Sequence, residues 1–288
     1  MKISDIFKED KQVFSFEVFP PKKDGNIDSI YNTLSELHEL KPDFISVTYG
    51  AGGREAGNSK TCEIASIIKE KYNITAVAHL TCVNSTFAEV DAELENLKRH
   101  GIENILALRG DIIPDIERKN DFKHASDLVA YIKERGNFNI SGACYPEGHG
   151  DCSDMVTDIR NLKIKVDAGV THLMSQLFFD NDKFYEFIEK CRIAGINVPI
   201  EAGIMPVTNK KQIERMVTMC GASLPQKFVK VLQKFGDSPD ALRDAGIAYA
   251  VDQIVDLVSN GVDGIHLYTM NNPYVAKKIY ESVKNLFV

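Results

Sequence analysis

Glu17 has the clearest chemical signature in the chain, because it interrupts an apolar run of strand character at residues 13–19. A carboxylate inside a buried strand costs free energy unless it is paired or used in chemistry. Burial favours the neutral carboxyl, which is the form that a general acid requires. Glu17 is therefore a candidate general acid. An exposed glutamate on an edge strand is the weaker alternative.

Other polar side chains stand where further apolar runs end. They are His79, the pair Arg109 and Asp111 around Gly110, Gln176, and Tyr268. Each has an ordinary alternative: a lone histidine is more often a satisfied core residue, and an Arg–Asp pair is often a surface ion pair. The glycines at 50–53 lack the full G-x-G-x-x-G spacing and indicate only a turn. Taken together, these run ends predict an enzyme with a polar rim.

The elements that position these residues are apolar runs that alternate with segments of helical period. Apolar runs joined by helical crossovers are typical of a parallel sheet, and eight strands close a barrel. We therefore predict one (β/α)₈ TIM barrel over residues 1–288, with extra helices at 209–220, 225–235 and 239–260 between strands 7 and 8. An open doubly wound sheet is the main alternative. The predicted strands are 13–19, 43–48, 74–81, 104–108, 140–145, 171–178, 198–204 and 264–268.

The segment 87–97 shows the helical pattern most clearly. Val90, Leu94 and Leu97 recur at helix spacing. We expect the glutamates at 89, 93 and 95, together with Asp91, to face solvent.

Composition limits the class of protein. The chain has 34 Lys and Arg residues against 41 Asp and Glu, a net charge of −7, which argues against a nucleic-acid binder. It has neither an apolar N-terminal signal region nor an 18-residue apolar run, so we expect a cytoplasmic protein without membrane insertion. The six cysteines lack C-x-x-C spacing, which indicates reduced thiols and no metal site.

Read in order, the motifs resemble those of the methylenetetrahydrofolate reductases, a family of flavin-dependent (β/α)₈ barrels. No single motif is decisive, but the ordered set spans almost the whole chain. The chain resembles the catalytic barrel alone, without the regulatory extension of animal forms. The matching stretches are 16–21 (FEVFPP), 46–51 (SVTYGA), 79–82 (HLTC), 107–111 (ALRGD), 125–128 (ASDL), 145–147 (YPE), 176–180 (QLFFD), 203–207 (GIMPV) and 268–271 (YTMN).

The resemblance implies an oxidoreductase of one-carbon metabolism, serving methionine biosynthesis. It would reduce 5,10-methylenetetrahydrofolate to 5-methyltetrahydrofolate by hydride transfer from a reduced flavin. Glu17 would be the general acid that opens the methylene bridge to an iminium, and Asp111 would tune the flavin potential. The implied cofactor is FAD, with FMN as the alternative, and NADH or NADPH would be the electron donor. We also expect a homo-oligomer.

The same resemblance implies two sets of binding residues. The substrate contacts would be Glu17, Asp111, Gln176, Gln212 and Tyr268. The flavin contacts would be Thr48, His79, Leu108, Arg109, Gly110, Asp111, Ala125, Tyr145, His149, Asp158, Asn161 and Lys165.

Four positions depart from the family pattern. His124 replaces a tyrosine, and Ile164 replaces a basic residue that contacts the flavin. Met216 replaces an aromatic that stacks on folate or nicotinamide, and Asn272 replaces a substrate-contacting arginine. Because of the last two departures, an alternative stays open in which this chain is a flavin-carrying subunit that receives electrons from a partner protein and not directly from NADH or NADPH. A metal-assisted or Schiff-base lyase on the same barrel is the alternative from another enzyme class.

Overall fold

The computed structural model describes residues 1–9, 11–21, 26–49, 60–112 and 119–287. Its strands form a closed parallel barrel in the order β1 to β8, and β8 pairs with β1. The predicted barrel is therefore confirmed, and the open sheet is wrong. The strands are β1 (Val13–Val18), β2 (Phe44–Val47), β3 (Thr75–Thr81), β4 (Asn104–Leu108), β5 (Asn139–Cys144), β6 (His172–Ser175), β7 (Ile200–Ile204) and β8 (Gly264–Tyr268).

Helices follow the strands and cover the outside of the barrel. The extra helices predicted between β7 and β8 are confirmed as α8, α9 and α10. In the described part of the chain, no helix is both long and apolar enough to cross a membrane. The helices are α1 (Ile3–Ile6), α2 (Asp28–Leu37), α3 (Lys60–Glu70), α4 (Phe87–Arg99), α5 (Ala125–Arg135), α6 (Met155–Asp167), α7 (Asn181–Ile193), α8 (Lys210–Cys220), α9 (Gln226–Phe235), α10 (Pro239–Ser259) and α11 (Pro273–Val283).

Helix α4 shows how local sequence fixes an element. Its N-cap Thr86 accepts a hydrogen bond from the Glu89 backbone N–H, and the Glu89 carboxylate accepts one from the Thr86 N–H, which closes a capping box. The expectation that Glu93 faces solvent is wrong, because its side chain is buried. Glu93 lies three residues after Val90 and four before Leu97, so it falls on the same buried stripe.

The alternation of side chains along β1 separates the barrel interior from the helical shell. Phe14 and Phe16 point outward and both rings pack against Tyr280 of α11. Ser15 and Glu17 point inward, where they meet side chains from other strands. The interior is unusually polar, because bulky branched residues normally fill barrels of this type.

Strand β6 is shorter than predicted and ends at Ser175. Beyond it, the Gln176 N–H donates to the Cys144 carbonyl, and the Gln176 side-chain Oε1 accepts from the Leu177 N–H. Gln176 therefore lies just past the strand end, on the carboxyl side of the barrel.

Candidate active site

A cavity of about 670 Å³, here called the mouth cavity, opens at the carboxyl ends of the strands. This is the end at which (β/α)₈ enzymes place their active sites. Among the residues predicted from the sequence, those that line it are Glu17, Thr48, His79, Leu108, Arg109, Gly110, Asp111, Tyr145, His149, Gln176 and Tyr268.

Glu17 lies at the inner end of the mouth cavity and is only 6% exposed. Its Oε2 is 3.5 Å from His79 Nε2 and 3.6 Å from His266 Nε2. Burial lowers the pKa of His79 to about 4, against the opposing attraction of Glu17, so this imidazole is neutral at pH 7. Among the described residues, the buried Nε2 of His79 has no hydrogen-bond partner. Such an atom is available to a ligand or to the carboxyl of Glu17.

The loop after β8 holds the end of β1 in place. Thr269 Oγ1 donates to the Glu17 carbonyl at 2.6 Å, and the Asn271 side chain pairs with both the N–H and the carbonyl of Phe19. Met270 and Asn271 both have positive φ, at 51° and 54°. Asparagine tolerates this conformation better than methionine does. Met270 also lines the cavity, so local backbone strain stands beside the candidate site.

Tyr268 crosses the mouth of the barrel, and its hydroxyl donates to the Ser175 carbonyl at 2.7 Å. Gly203 permits this close approach. A Cβ at position 203 would stand 2.2 Å from the Ser175 carbonyl oxygen and 2.9 Å from the Tyr268 hydroxyl. Burial raises the pKa of Tyr268 well above its usual value, so the phenol remains a hydrogen-bond donor.

A second cavity of about 350 Å³, here called the side cavity, lies beside the ends of β4 and β5 and along α6. It shares Leu108, Arg109, Ala143, Tyr145 and His149 with the mouth cavity. The predicted residues that line it are Leu108, Arg109, Ala125, Tyr145, His149, Asp158, Asn161 and Lys165.

In the described chain, the lysine and arginine side chains along the side cavity are Arg109 and Lys165. Lys165 Nζ donates to the Ala143 carbonyl at 2.5 Å, and Arg109 pairs with Asp151 at 2.6 Å. Burial lowers the pKa of Lys165. It also lowers the pKa of His149, with a further contribution from Arg109. The cavity therefore combines the cations Arg109 and Lys165 with the carboxylates Asp151 and Asp158, so a bound phosphate would have to compete with Asp151 for Arg109.

Gly110 gives the chain its turn after β4. Its φ is +87°, a conformation that favours glycine. The turn places Arg109 at the boundary of the two cavities and leaves Asp111 exposed at the mouth.

Gln212 is the predicted site residue that lines neither cavity. It is half-buried in the first turn of α8, where its N–H donates to the N-cap Asn209, and it lies one turn before Met216. The glycines at 50–53 lie outside the described residues.

Of the departing residues Met216 and Asn272, Met216 lines the mouth cavity and Asn272 lines neither cavity. Met216 lines the cavity together with Met174, Met205 and Met270. Thioether side chains are flexible and can pack against ligands of different shape. Asn272 caps α11, accepting a hydrogen bond from the Val275 N–H, so its side chain has a structural role.

The other two departures line the side cavity. Ile164 is 59% exposed there and contributes no charge. His124 is exposed at the N-cap of α5, where its backbone N–H donates to Asp127.

The sequence reasoning missed a buried polar group below Glu17 that includes Ser15, His172 and Glu201, each fully inaccessible to solvent. A signal was available for Glu201. It interrupts the apolar run 198–204 as Glu17 interrupts 13–19, so the same desolvation argument applies to both carboxylates.

Comparison with known proteins agrees with this picture. A family model described as methylenetetrahydrofolate reductase matches residues 2–284. Methylenetetrahydrofolate reductase 1 of Schizosaccharomyces pombe is 36% identical over 291 residues, which cover 98% of this chain and 48% of the yeast protein. The 5,10-methylenetetrahydrofolate reductase of Escherichia coli is 37% identical over 257 residues, or 89% of this chain and 86% of that protein. The chain thus spans about half the length of the yeast relative and most of the bacterial one.

A solved structure shows the same fold at lower identity. It is an uncharacterized protein from Clostridium thermocellum that binds two copies of 5-methyl-5,6,7,8-tetrahydrofolic acid. It superposes with a TM-score of 0.66 at 13% identity, covering 98% of this chain and 97% of that one. At this low identity, the similarity shows only that the two proteins share a fold. The family model and the relatives above 30% identity show common ancestry. The chain belongs to the methylenetetrahydrofolate reductase family.

Proposed function

We propose that this chain reduces 5,10-methylenetetrahydrofolate to 5-methyltetrahydrofolate, with Glu17 as the general acid. A bound flavin supplies the hydride for this reaction. The observation that carries the proposal is the position of Glu17, a carboxyl 6% exposed at the inner end of a 670 Å³ cavity. The family match favours methylenetetrahydrofolate reduction over other reactions of (β/α)₈ barrels.

Glu17 would deliver its proton to the bridging amine of the substrate, so that the methylene group opens to an electrophilic iminium. His79 is neutral at pH 7, so it places no positive charge beside Glu17.

Other mouth residues would orient the pterin. The Gln176 Oε1 is engaged by the Leu177 N–H, so its amide N–H₂ is the group free to donate into the cavity. Tyr268, fixed by Ser175, would form a wall. Asp111 would stand near the flavin and disfavour extra electron density on it. Gln212 lies outside the mouth cavity, so contact with the substrate would need its side chain or α8 to move.

The residues present fit a flavin. The mouth and side cavities are adjacent and share five lining residues, so a ring system in one and a phosphate tail in the other would lie close together. The unpartnered Nε2 of His79 faces Glu17 at the ring end, and Arg109 and Lys165 supply positive charge at the other. We propose FAD as this cofactor. FMN is the alternative, because Ile164 contributes no phosphate contact.

The electron donor is a separate proposal. NADH or NADPH would be the direct donor if the mouth cavity accepts a nicotinamide. A partner protein that reduces the flavin is the second candidate, favoured by Met216 in the cavity wall and by Asn272, whose side chain caps α11.

An anaerobic half-reaction experiment tests both proposals. Protein purified with its flavin is reduced with dithionite, and methylenetetrahydrofolate is then added. Reoxidation of the flavin is expected, and its absence would refute the proposed reaction. In a parallel sample, bleaching by NADH or NADPH identifies a direct donor, whereas bleaching only by a reduced electron-transfer protein identifies the partner route.

Substitution of Glu17→Gln tests the general acid. We expect the variant to retain flavin but to lose reoxidation by methylenetetrahydrofolate by about 10²–10⁴-fold, the usual contribution of a positioned acid. Glu93→Gln is the matched control, because it changes a buried carboxylate on α4, outside both cavities. An unchanged rate in Glu17→Gln would remove Glu17 from the mechanism.

A further inference from the structure

A chain of buried hydrogen bonds runs from the wall of the mouth cavity into the lower barrel. Ser15 Oγ lies 2.6 Å from His266 Nδ1 and 2.8 Å from Glu201 Oε1. The other oxygen of Glu201, Oε2, lies 3.1 Å from His172 Nε2. Ser141 Oγ completes the chain, 2.9 Å from His172 Nδ1. Ser15, Ser141, His172, Glu201 and His266 are all inaccessible to solvent.

The chemistry of the groups gives these bonds a direction. A carboxylate only accepts, so as a carboxylate Glu201 accepts from Ser15 at Oε1, and its Oε2 assigns the facing proton to Nε2 of His172. Ser15 has one hydroxyl proton, and it donates that proton to Glu201. The short contact between Ser15 and His266 must then be a bond in which the imidazole Nδ1–H donates to the serine oxygen.

The direction of that bond determines what His266 presents to Glu17. A neutral imidazole protonated at Nδ1 carries a lone pair at Nε2. This Nε2 faces Glu17 Oε2 at 3.6 Å and Ser46 Oγ at 3.3 Å. A lone pair favours a protonated carboxyl, to which it is an acceptor, over a carboxylate, which it repels.

We propose that Glu201 is a positioning residue: through Ser15, it holds His266 as the Nδ1–H tautomer and so keeps Glu17 in its protonated form. This inference rests on the proposed role of Glu17 as an acid. Glu201 touches neither cavity and acts only through the intervening side chains. Its negative charge acts in the same direction, since it disfavours a second negative charge inside the barrel.

Several strands carry titratable groups that face the two carboxylates. Glu17 faces His79 on β3 and His266 and Tyr268 on β8. Glu201 faces His172 on β6 and Ser15 on β1. A buried carboxylate with a histidine is costly to retain, so a role for it beyond stability is reasonable.

Glu201→Gln tests the inference through the pH dependence of flavin reoxidation by methylenetetrahydrofolate. The glutamine amide donates to Ser15, which then donates to His266 Nδ1, and the proton of His266 moves to Nε2. A donor facing Glu17 stabilises its carboxylate. We expect the pH at which the rate falls to half to move down by about one unit, which is about tenfold in rate above the midpoint.

Two buried serines provide a matched pair. Ser15→Ala removes the link between Glu201 and His266 and should also move the midpoint. Ser141→Ala removes an equally buried hydroxyl at the far end of the chain and should leave the midpoint unchanged. An unmoved midpoint in both Glu201→Gln and Ser15→Ala would overturn the inference, as would an equal movement in Ser141→Ala.

The histidine tautomer is a readout that does not depend on folate reduction. In ¹⁵N-histidine-labelled protein, the ring nitrogen shifts of His266, assigned by comparison with His266→Gln, should show Nδ1–H in the wild type and Nε2–H in Glu201→Gln. A wild-type Nε2–H tautomer would overturn the inference even if a variant failed to fold. If the wild type has the expected tautomer but no folate activity, the proposed function fails instead.

Discussion

The mouth cavity and the side cavity are built from different kinds of element. The mouth takes Glu17, His79 and Tyr268 from strands of the closed barrel, and Glu17 and His79 are 6% and 7% exposed. The side cavity takes its charged groups from α6 and from the turns after β4 and β5, where the side chains of Arg109 and Asp151 are 25% and 57% exposed. Glu17 and His79 of the mouth cavity are thus buried, whereas Arg109 and Asp151 beside the side cavity are partly exposed.

For the proposed reaction, this difference would separate two tasks. Proton transfer needs an acid whose protonation state is controlled by burial and by fixed neighbours, which strands provide. Binding a phosphate tail needs charge and reach, which a helix face and loops provide at lower structural cost. Changes at the mouth should therefore alter stability and chemistry, and changes at the side cavity should alter ligand retention.

A pair of glycines tests the contrast in rigidity. Gly203→Ala places a Cβ 2.2 Å from the Ser175 carbonyl oxygen, so we expect a loss of about 3 kcal/mol or more in the free energy of unfolding. Gly150→Ala, in the loop beside the side cavity, meets no atom within 4 Å and should change it by less than about 0.5 kcal/mol. Urea denaturation measures both, and equal losses would contradict the contrast.

Burial of His79 predicts a pH dependence of stability. Its pKa is lowered to about 4 in the folded chain. Between pH 6.5 and pH 4, His79 therefore binds a proton in the unfolded chain but not in the folded chain. This contribution is fully present above pH 6.5 and is lost as the pH falls towards 4, by about 3 kcal/mol in total. His79→Gln should flatten that part of the profile of unfolding free energy against pH. A profile parallel to that of the wild type would show that His79 is not the group responsible.

The side cavity is tested by flavin retention. We expect Lys165→Met to weaken FAD binding about 10–100-fold, as the loss of one charge-assisted contact does, while the flavin that remains bound reacts at the wild-type rate. Lys163→Met removes a neighbouring lysine on α6 that pairs with Asp167, and it should bind FAD normally. Titration of the apoprotein with FAD measures both affinities. Unchanged affinity in Lys165→Met would show that the phosphate tail of FAD does not bind in the side cavity. A slower reaction of the bound flavin would show that the side cavity also affects the chemistry at the mouth cavity.

Glu17 on β1 is predicted from a physical argument, whereas His79 on β3 and the helix-borne residues are predicted only from the family resemblance. Glu17 was identified because a carboxylate in an apolar run demands an explanation. Asp158 and Lys165 look like ordinary surface charge on an amphipathic helix, and only the resemblance to a known family suggested them. Glu93 shows the limit of the pattern itself, since its charge predicted exposure and its position on the α4 stripe decided burial.

The sequence by itself determined the eight apolar runs, the helices between them and the acid in the first strand, because periodicity and desolvation cost act locally. Only the tertiary structure decided what surrounds that acid. His79 and His266 approach Glu17 from strands distant in sequence, and Glu201 joins them through Ser15. Barrel closure creates these contacts, since β8 pairs with β1 only when the sheet closes. No local sequence pattern predicts that β1 pairs with β8.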